Sequence, residues 1–246
     1  MTLDQDLVGL AGVVLIAWTV QAITGFGSTV LALTLGAVFL PIPELLPVVI
    51  VLNTPLAAWT AIRHRVEIDR AALLWLILPW MGAGTALGAL AAPWIAGDLL
   101  KRGFGVMVLA FAARDLFALL RDHPIGPRPP EAQLRAWVVL AGFIHGIYGS
   151  GGPALVQATS RLGLTKGAFR ATMSAVWLVF NFALIGVFAA RGRFDDATLH
   201  RALVLVPVVP VGVWLGEKIH PHVQDRAFRG LVQGLLLIGG AALLFG

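Results

Sequence analysis

The sequence predicts an all-α polytopic membrane protein built from two four-segment repeats, and three observations support this prediction. Apolar runs recur along the 246 residues, 58% of which are hydrophobic, and the mean hydropathy is +0.86. Charged residues make up only 13% of the chain, whereas a soluble domain carries roughly 25%. Two glycine-rich motifs interrupt the apolar runs at corresponding places in the two halves.

Several of the apolar segments reach the ~20 residues that a helix needs to cross a bilayer. We expect each half to contain one glycine-broken segment followed by three plainer spans. Pro79, Pro207 and Pro210 are predicted kink points in the third spans. The predicted segments are 5–40, 44–63, 71–96 and 99–120 in the first half, and 134–163, 167–190, 199–217 and 225–246 in the second.

Composition and charge argue against several classes of function. The chain contains no cysteine, which excludes disulfides, thiolate metal sites and iron–sulfur clusters. The formal net charge of +5 fits Lys and Arg in cytoplasmic loops, so we expect no nucleic-acid partner. The acidic start "MTLDQD" does not resemble a cleavable signal peptide. No carboxylate pair or HExxH motif lies within a span, so we predict no catalytic residues, no metal site and no cofactor.

An internal repeat appears as an ordered series of matching residues. The motif "TGFGS" at 24–28 lies 124 residues before "YGSGG" at 148–152, and after a four-residue insertion the offset becomes 128. We predict a first transmembrane repeat over 1–120, a polar proline-rich linker over 121–135 and a second transmembrane repeat over 136–246. The pairs at the second offset include Asn53 with Asn181, Glu67 with Asp195, Pro79 with Pro207, Gly84 with Gly212 and Gly88 with Gly216.

The topology depends on whether each broken segment crosses the membrane. If each crosses once, Lys and Arg are spread almost evenly between the two sides. If each dips into the membrane and returns, most of the basic loops fall on one side, as the positive-inside rule requires. The second alternative makes the halves inverted copies, an architecture found in transporters, and it is the one we predict.

The glycine breaks predict an anion site. Irregular backbone at membrane depth is tolerated where it lines a water-filled cavity or is buried in protein. Pro153 suits the first turn of a new half-helix, whose free N–H groups and dipole attract an anion. Ser28 and Thr29 serve the first half in the same way, and two facing half-helix N-termini need no Lys or Arg. In "MGAGTALGALAA", Met81–Ala92, we expect the glycines only to pack helices.

The few polar residues around the breaks align in pairs, with Gln21 opposite His145 and Asn53 opposite Asn181. Each one alone serves equally well as glue between helices, but together they indicate a shared cavity. There His145 is either a proton carrier or a neutral hydrogen-bond donor. The predicted substrate-binding residues are Gln21, Thr24, Gly25, Gly27, Ser28, Thr29, Asn53, His145, Tyr148, Gly149, Ser150, Gly151, Gly152, Gln157 and Asn181.

The chain resembles the TauE/SafE permease family, the sulfite and organosulfonate exporters. The resemblance rests on "QAITGFGSTVLALTLGAVFLPIPELLPVVIVLN" in the first half and "HGIYGSGGPALVQATSRLGLTKGAFRATMSAVWLVFN" in the second, and extends more weakly over the whole chain. It implies a multi-pass transporter of the bacterial cytoplasmic membrane for sulfite, sulfoacetate, related sulfonates or other small organic acids. It also implies a site near residues 25–28 and 149–153.

The predicted function is therefore secondary transport of a small sulfur-containing anion by alternating access. The expected partners are a small anionic substrate and the lipid bilayer, and a homodimer is left open. An integral-membrane enzyme or assembly factor is one alternative, although the spans offer only His145 for its chemistry. An anion channel is the other, because the glycine breaks fit it as well.

Overall fold

A computed structural model of the chain describes residues 3–24, 27–95, 97–121, 128–219 and 225–245. Every regular element within these ranges is a helix, and six helical stretches are long and apolar enough to cross a bilayer. The predicted class of polytopic α-helical membrane protein is therefore confirmed. The six stretches are Asp6–Ile23, Ile42–Arg63, Ala72–Trp94, Gly97–Leu120, Gly167–Ala190 and Asp196–Ile219.

Both predicted helix breaks are present. The first broken segment consists of α1 (Leu3–Thr24) and α2 (Ser28–Gly36), and the second of α6 (Glu131–Tyr148) and α7 (Gly152–Thr159). The other described helices are α3 (Ile42–Arg63), α4 (Leu78–Ala91), α5 (Gly97–Arg121), α8 (Lys166–Ala190), α9 (Asp196–Leu205), α10 (Val208–Ile219) and α11 (Asp225–Phe245).

The third segment of each half, predicted to be plain, is interrupted where the sequence has proline. A π-helical stretch, Ala72–Ile77, precedes α4, and Pro79 lies in the first turn of α4. Pro207 separates α9 from α10, and Pro210 lies in the first turn of α10. A proline has no N–H and its ring collides with the carbonyl four residues earlier. The helical hydrogen-bond ladder therefore widens or stops there, so two of the three predicted kink points coincide with interruptions.

The chain forms two compact units, and each unit draws segments from both halves of the sequence. Unit 1 contains Met1–Val49, Ile95–Pro124 and Asp195–Gly246, and unit 2 contains Ile50–Trp94 and Ile125–Phe194. Each unit thus has one broken helix pair, α1 and α2 in unit 1 and α6 and α7 in unit 2. A repeat in the sequence and a compact unit in the structure are different divisions of this chain.

In unit 2, α4 packs against α6 at glycines. A Cβ atom added at Gly84 would collide with the main chain of Val139, and one added at Gly88 would collide with the main chain of Phe143. The contact is reciprocal, because a Cβ at Gly142 of α6 would meet the main chain of α4. Only glycine lets two membrane helices approach this closely. The packing role predicted for these glycines of α4 is confirmed.

Unit 1 contains a corresponding contact between α1 and α10. A Cβ at Gly212 would lie 3.0 Å from the carbonyl oxygen of Leu15, and one at Gly216 would lie closer still to that of Thr19. The hydroxyl of Thr19 also donates to the carbonyl oxygen of Gly212 at 3.1 Å. These two glycines align with Gly84 and Gly88 of α4 in the predicted repeat. One glycine pair packs α4 against α6 and the other packs α10 against α1, so in each unit a third segment lies against a helix of a broken pair. The inverted relation of the repeats stays a prediction.

Candidate substrate site

The first break, in unit 1, is formed around a left-handed glycine. Gly27 has a φ of 101° and is the N-cap residue of α2, a conformation that glycine adopts without steric cost. The N–H of Ser28, the first residue of α2, donates to Oε1 of Gln21 at 3.2 Å. A side chain of α1 therefore pairs with one of the free donors at the start of α2. Gly25 lies outside the described residues, as does the side chain of Thr24.

The hydroxyl residues predicted for the start of α2 are in its first turn. Ser28 and Thr29 are both buried. Thr29 has an interaction partner within the protein, whereas the Ser28 hydroxyl makes no hydrogen bond to the described residues. The same is true of Trp18 Nε1 and Thr34 Oγ1 elsewhere in unit 1. The first break thus has one side-chain cap and one buried hydroxyl that the described chain leaves unpaired.

The second break, in unit 2, separates α6 from α7. Gly149, with a φ of 61°, ends α6, and its N–H donates to the carbonyl oxygen of His145 at 2.7 Å. Gly151 is the N-cap residue of α7 and Pro153 lies in the first turn, as predicted. As a glycine, this N-cap residue has no side chain with which to cap the helix. The first N–H groups of α7, on residues other than Pro153, have no partner within the helix itself, and groups of this kind bind anions in other proteins.

The start of α7 rests directly on α6, and this contact explains one of the glycines. A Cβ atom at Gly151 would collide with the carbonyl oxygen of Ala141, one helical turn before His145. The carbonyl of Gly151 accepts the first helical hydrogen bond, from the N–H of Leu155 at 3.0 Å. Any side chain at Gly151 would push α7 away from α6, so the position of the α7 N-terminus depends on this glycine.

Besides the hydroxyl of Thr85 on α4, three buried polar side chains of unit 2 have atoms without a hydrogen bond in the described chain. They are both ring nitrogens of His145, which is 0% exposed, the hydroxyl of Ser150, which is 3% exposed, and the amide nitrogen of Asn181, which is 1% exposed. Buried polar groups in native proteins are almost always paired, with protein or with ordered water. Leaving one unpaired costs about 1–3 kcal/mol. A water molecule or a ligand would supply the partner that the described chain does not.

An aromatic face of α8 borders the second break. The ring of Trp177 stacks on that of His145, with centroids 5.7 Å apart and planes at 29°. Phe180 meets the same imidazole edge-on, with centroids 6.0 Å apart. The main chain of Phe180 lies beside the imidazole without completing a hydrogen bond. The Trp177 indole also lies 3.7 Å from the position of a Cβ at Gly152.

Trp177 is absent from the residues that the sequence predicts for the site. A signal for it was present, because Trp177 and Asn181 are four residues apart and therefore share one face of α8. Once Asn181 is a candidate, its neighbour one turn earlier is a candidate as well. The depth of Trp177 in its span predicts either a cavity wall or simple packing, and the sequence alone leaves both open.

The remaining predicted residues have partners inside the protein. Tyr148 and Asn53 are buried, and Gln157 on α7 is half-buried. Each has an interaction partner within the chain. Asn53 and Asn181, aligned in the predicted repeat, both belong to unit 2. The structure thus brings together the residues of each break and assigns both asparagines to the unit that contains the second break.

The buried polar side chains of the described residues include no Asp, Glu, Lys or Arg. No group of three or more His, Cys, Asp or Glu residues that would hold a metal ion occurs in the part of the chain that the structure describes. The second break therefore offers neutral donors and a helix N-terminus. Such a set binds an electron-rich ligand, because its groups donate hydrogen bonds and the helix dipole presents its positive end.

A polytopic helical protein whose spans are interrupted by glycine, with buried polar groups at the interruption, has the architecture of a membrane transporter. The chain belongs to the sulfite exporter TauE/SafE family, whose model matches residues 10–243. The predicted family membership is confirmed, and the protein is a transporter and not an enzyme.

Two curated relatives agree with this family assignment. The "Probable sulfite/organosulfonate exporter TauE" of Cupriavidus necator is 26% identical over 232 residues, which cover 91% of this chain and 88% of the relative. The "Probable inner membrane transporter protein TsaS" of Comamonas testosteroni is 28% identical over 162 residues, 65% of this chain and 68% of the relative. No solved structure matches the chain significantly. Together with the six apolar helices, these matches make the protein a multi-pass component of the bacterial inner membrane.

Proposed function

We propose that the protein is a secondary transporter that moves sulfite or a small organosulfonate by alternating access, and that the second break holds the anion. The family and the printed name of the Cupriavidus relative support the substrate class. The observation that carries the site is the unpaired donor set of His145, Ser150 and Asn181 in the unit that contains the N-terminus of α7, which begins after Gly151.

The chemistry of the donors suits the chemistry of the ligand. Sulfite and sulfonates present three oxygens on one sulfur atom, and all three accept hydrogen bonds. An imidazole N–H, a hydroxyl, a carboxamide NH2 and the main-chain N–H groups of α7 are donors that together match three such oxygens. Hydrogen bonds to a charged partner contribute about 1.5–3 kcal/mol each, and the α7 dipole adds roughly half a positive charge. This set is sufficient to hold an anion without a lysine or an arginine.

A site of neutral donors also suits release. A transporter binds its substrate on one side of the membrane and gives it up on the other. If the anion were paired with a buried Lys or Arg, its departure would leave an uncompensated buried charge, which is strongly destabilising. Neutral donors are rehydrated by water at a smaller cost. We therefore propose that the anion binds to the neutral donors of the break and not to a buried Lys or Arg.

Alternating access is proposed on the architecture of discontinuous helices, which transporters use to place ligand-binding main-chain groups at membrane depth. The residues predicted around the first break, among them Gln21, Ser28 and Thr29, are proposed as a second contributor. The N-terminus of α2 in the first break offers main-chain N–H groups, as the N-terminus of α7 does. If protons are the coupling ion, the transport rate should respond to a pH gradient across the membrane.

The test is transport by purified protein in liposomes, with labelled sulfite, sulfoacetate and taurine, each with and without a pH gradient. We expect saturable uptake of at least one anion, and faster entry of label when the same unlabelled anion is inside, because a carrier returns faster when loaded. A channel would give flux without this acceleration. Absence of anion-dependent flux with all three compounds would contradict the proposed function.

The site assignment has a matched pair of variants. Ser150→Ala removes a buried donor without a protein partner, and we expect the KM for the transported anion to rise about tenfold or more. Ser174→Ala removes a hydroxyl of α8 that already donates to the carbonyl oxygen of Arg170 at 2.9 Å. The second variant should transport like the unaltered protein. Equal kinetics in the two variants would remove Ser150 from the site.

A further inference from the structure

The Trp177 indole lies between two parts of the second break. One face stacks on the His145 imidazole, and the edge carrying Cζ2 and Cη2 lies 3.7 and 3.9 Å from the position of a Cβ at Gly152. These last distances are ordinary van der Waals contacts. The gap between Gly152 and the indole is therefore as wide as one methyl group, and it opens at the first residue of α7.

We propose that Trp177 and Gly152 limit the size of the substituent that a transported anion can carry on its sulfur atom. This inference rests on the proposed function, because it concerns the same site. The gap accepts no substituent, as in sulfite, or a slender CH2 group, as in sulfoacetate. A branched or cyclic carbon next to the sulfur is too wide to enter between the indole and the α7 main chain.

Neither side of the gap, the Trp177 indole or the start of α7, moves easily. The indole is backed by His145, and the imidazole is in turn met edge-on by Phe180. On the other side, the start of α7 rests on α6, with Gly151 against the carbonyl of Ala141. Close-packed interiors resist the insertion of even one methylene group. The discrimination is therefore steric and acts at a fixed width.

The exposure of the two residues fits a wall of a binding site better than a packing role. Trp18 of unit 1, a packing tryptophan, is 0% exposed, whereas Trp177 is only half-buried. Gly152 is half-buried as well, while Gly151 next to it is buried. Trp177 and Gly152 thus both keep accessible surface, and they lie next to each other at the N-terminus of α7.

Substitutions of the two residues are expected to have opposite effects on the width of the gap. Trp177→Ala widens the gap, and Gly152→Ala fills it with a methyl group that has room at 3.7 Å from the indole. A misfit of about one methylene group in an apolar pocket changes specificity by roughly 10- to 200-fold. Trp177→Ala should therefore raise kcat/KM for a branched sulfonate relative to sulfite by about tenfold or more. Gly152→Ala should lower the ratio for sulfoacetate relative to sulfite.

The experiment measures initial uptake rates in liposomes for sulfite, sulfoacetate and a sulfonate branched at the carbon next to sulfur. Trp177→Phe is included as a milder variant in case Trp177→Ala does not fold, and each variant is checked for a single species in detergent. Trp75→Ala is the control, because Trp75 lies in unit 2 and is 80% exposed. Its substrate ratios should equal those of the unaltered protein.

The outcomes separate this inference from the proposed function. No saturable uptake of any of the three compounds by the unaltered protein overturns both. Saturable uptake with unchanged ratios in the Trp177 and Gly152 variants overturns only the size limit. A uniform loss for all substrates in the Trp177 variants assigns the tryptophan a structural role and also overturns it. Ratios that move in opposite directions in the two variants support the inference.

Discussion

The two breaks are matching motifs in the sequence, yet their polar groups are used differently. In the first break, Gln21 reaches forward and accepts the N–H of Ser28 at the start of α2. In the second break, the aligned residue is His145, and neither of its ring nitrogens has a hydrogen-bond partner in the described chain. The N-cap residue of α7, Gly151, has no side chain. One N–H at the first break thus has a side-chain partner, whereas the aligned side chain at the second break has none in the described chain.

The two aligned motifs thus use their polar side chains differently. A carboxamide oxygen at the start of a helix takes the place that an oxygen of an anion would take, because both accept main-chain N–H groups. Where the chain supplies that oxygen itself, a ligand has to displace it. Where the chain does not, the ligand supplies it. We therefore expect substitutions in the second break to have the larger effects on transport.

The largest effect is expected for Gly151→Leu. The side chain collides with the carbonyl of Ala141 and pushes the α7 N-terminus away from α6, and misplacing binding groups by about 1 Å costs on the order of 100-fold in rate. Uptake should be lost while the protein still inserts in the membrane. Gly186→Leu is the control, since no atom lies within 4 Å of a Cβ at Gly186. Normal transport by Gly151→Leu would contradict the half-helix site.

The comparison between the breaks is tested directly by His145→Ala and Gln21→Ala. Removing a donor to a charged ligand should raise the KM about tenfold or more for His145→Ala. Gln21→Ala removes a cap and frees an N–H, so its KM should change less, and its main cost should be stability. Both are measured as uptake kinetics with equal amounts of inserted protein. A larger KM change in Gln21→Ala would reverse the assignment of the two breaks.

A smaller effect, on stability alone, is expected at the glycine contacts of the two units. Gly88→Ala in unit 2 and Gly216→Ala in unit 1 each place a methyl group against a main-chain carbonyl. Overpacking of this kind costs about 1–3 kcal/mol, and it should appear as a lower unfolding midpoint in detergent. Gly82→Ala and Gly234→Ala are the controls, because their Cβ atoms have room. Similar losses in both units would support equivalent roles for the aligned contacts, and unequal losses would count against them.

The smallest effect is expected at Asp195, the N-cap residue of α9 outside the membrane-spanning stretch. Hydrogen bonds from the side chain and from the N–H of Thr198 hold the pKa of the Asp195 carboxyl below its ordinary value of 3.8. The bond from the N–H is 2.8 Å long. The cap therefore stabilises the fold above pH 3.8 and is lost as the pH falls through the lowered pKa.

Asp195→Ala should thus lower the melting temperature slightly at pH 7 in detergent. The difference from the unaltered protein should disappear in strong acid, where both lack the carboxylate. A difference that stays constant down to the lowest pH at which the protein folds would show that the charge of Asp195 is not what stabilises α9.

Much of the fold was predictable because helix boundaries in this chain are decided locally. Runs of apolar residues have no low-energy alternative to a helix in a bilayer, so all the predicted spans recur in the structure within a few residues. Glycine and proline end or bend a helix through their own dihedral preferences. The breaks at Gly27 and Gly149, and the start of α7 at Pro153, follow from these residues alone.

The interruptions in the third spans mark the limit of that local reading. Pro79 and Pro207 were predicted as kink points. Whether a helix widens into a π-helical turn or breaks at a proline depends on what packs beside it. At Pro79 the chain continues through a π-helical stretch, and at Pro207 it stops and restarts. The same residue type at aligned positions thus has two structural outcomes.

The sequence by itself determined the class of protein, the positions of the breaks and the residue types around them, because each depends on the chemistry of short segments. The tertiary structure alone decided which segments share a unit, which glycines meet a neighbouring main chain, and which polar groups find a partner. It paired Gln21 with Ser28, left His145 unpaired and placed Trp177 against it. Contacts between distant segments depend on the packing of the whole chain, and no short stretch of sequence contains that information.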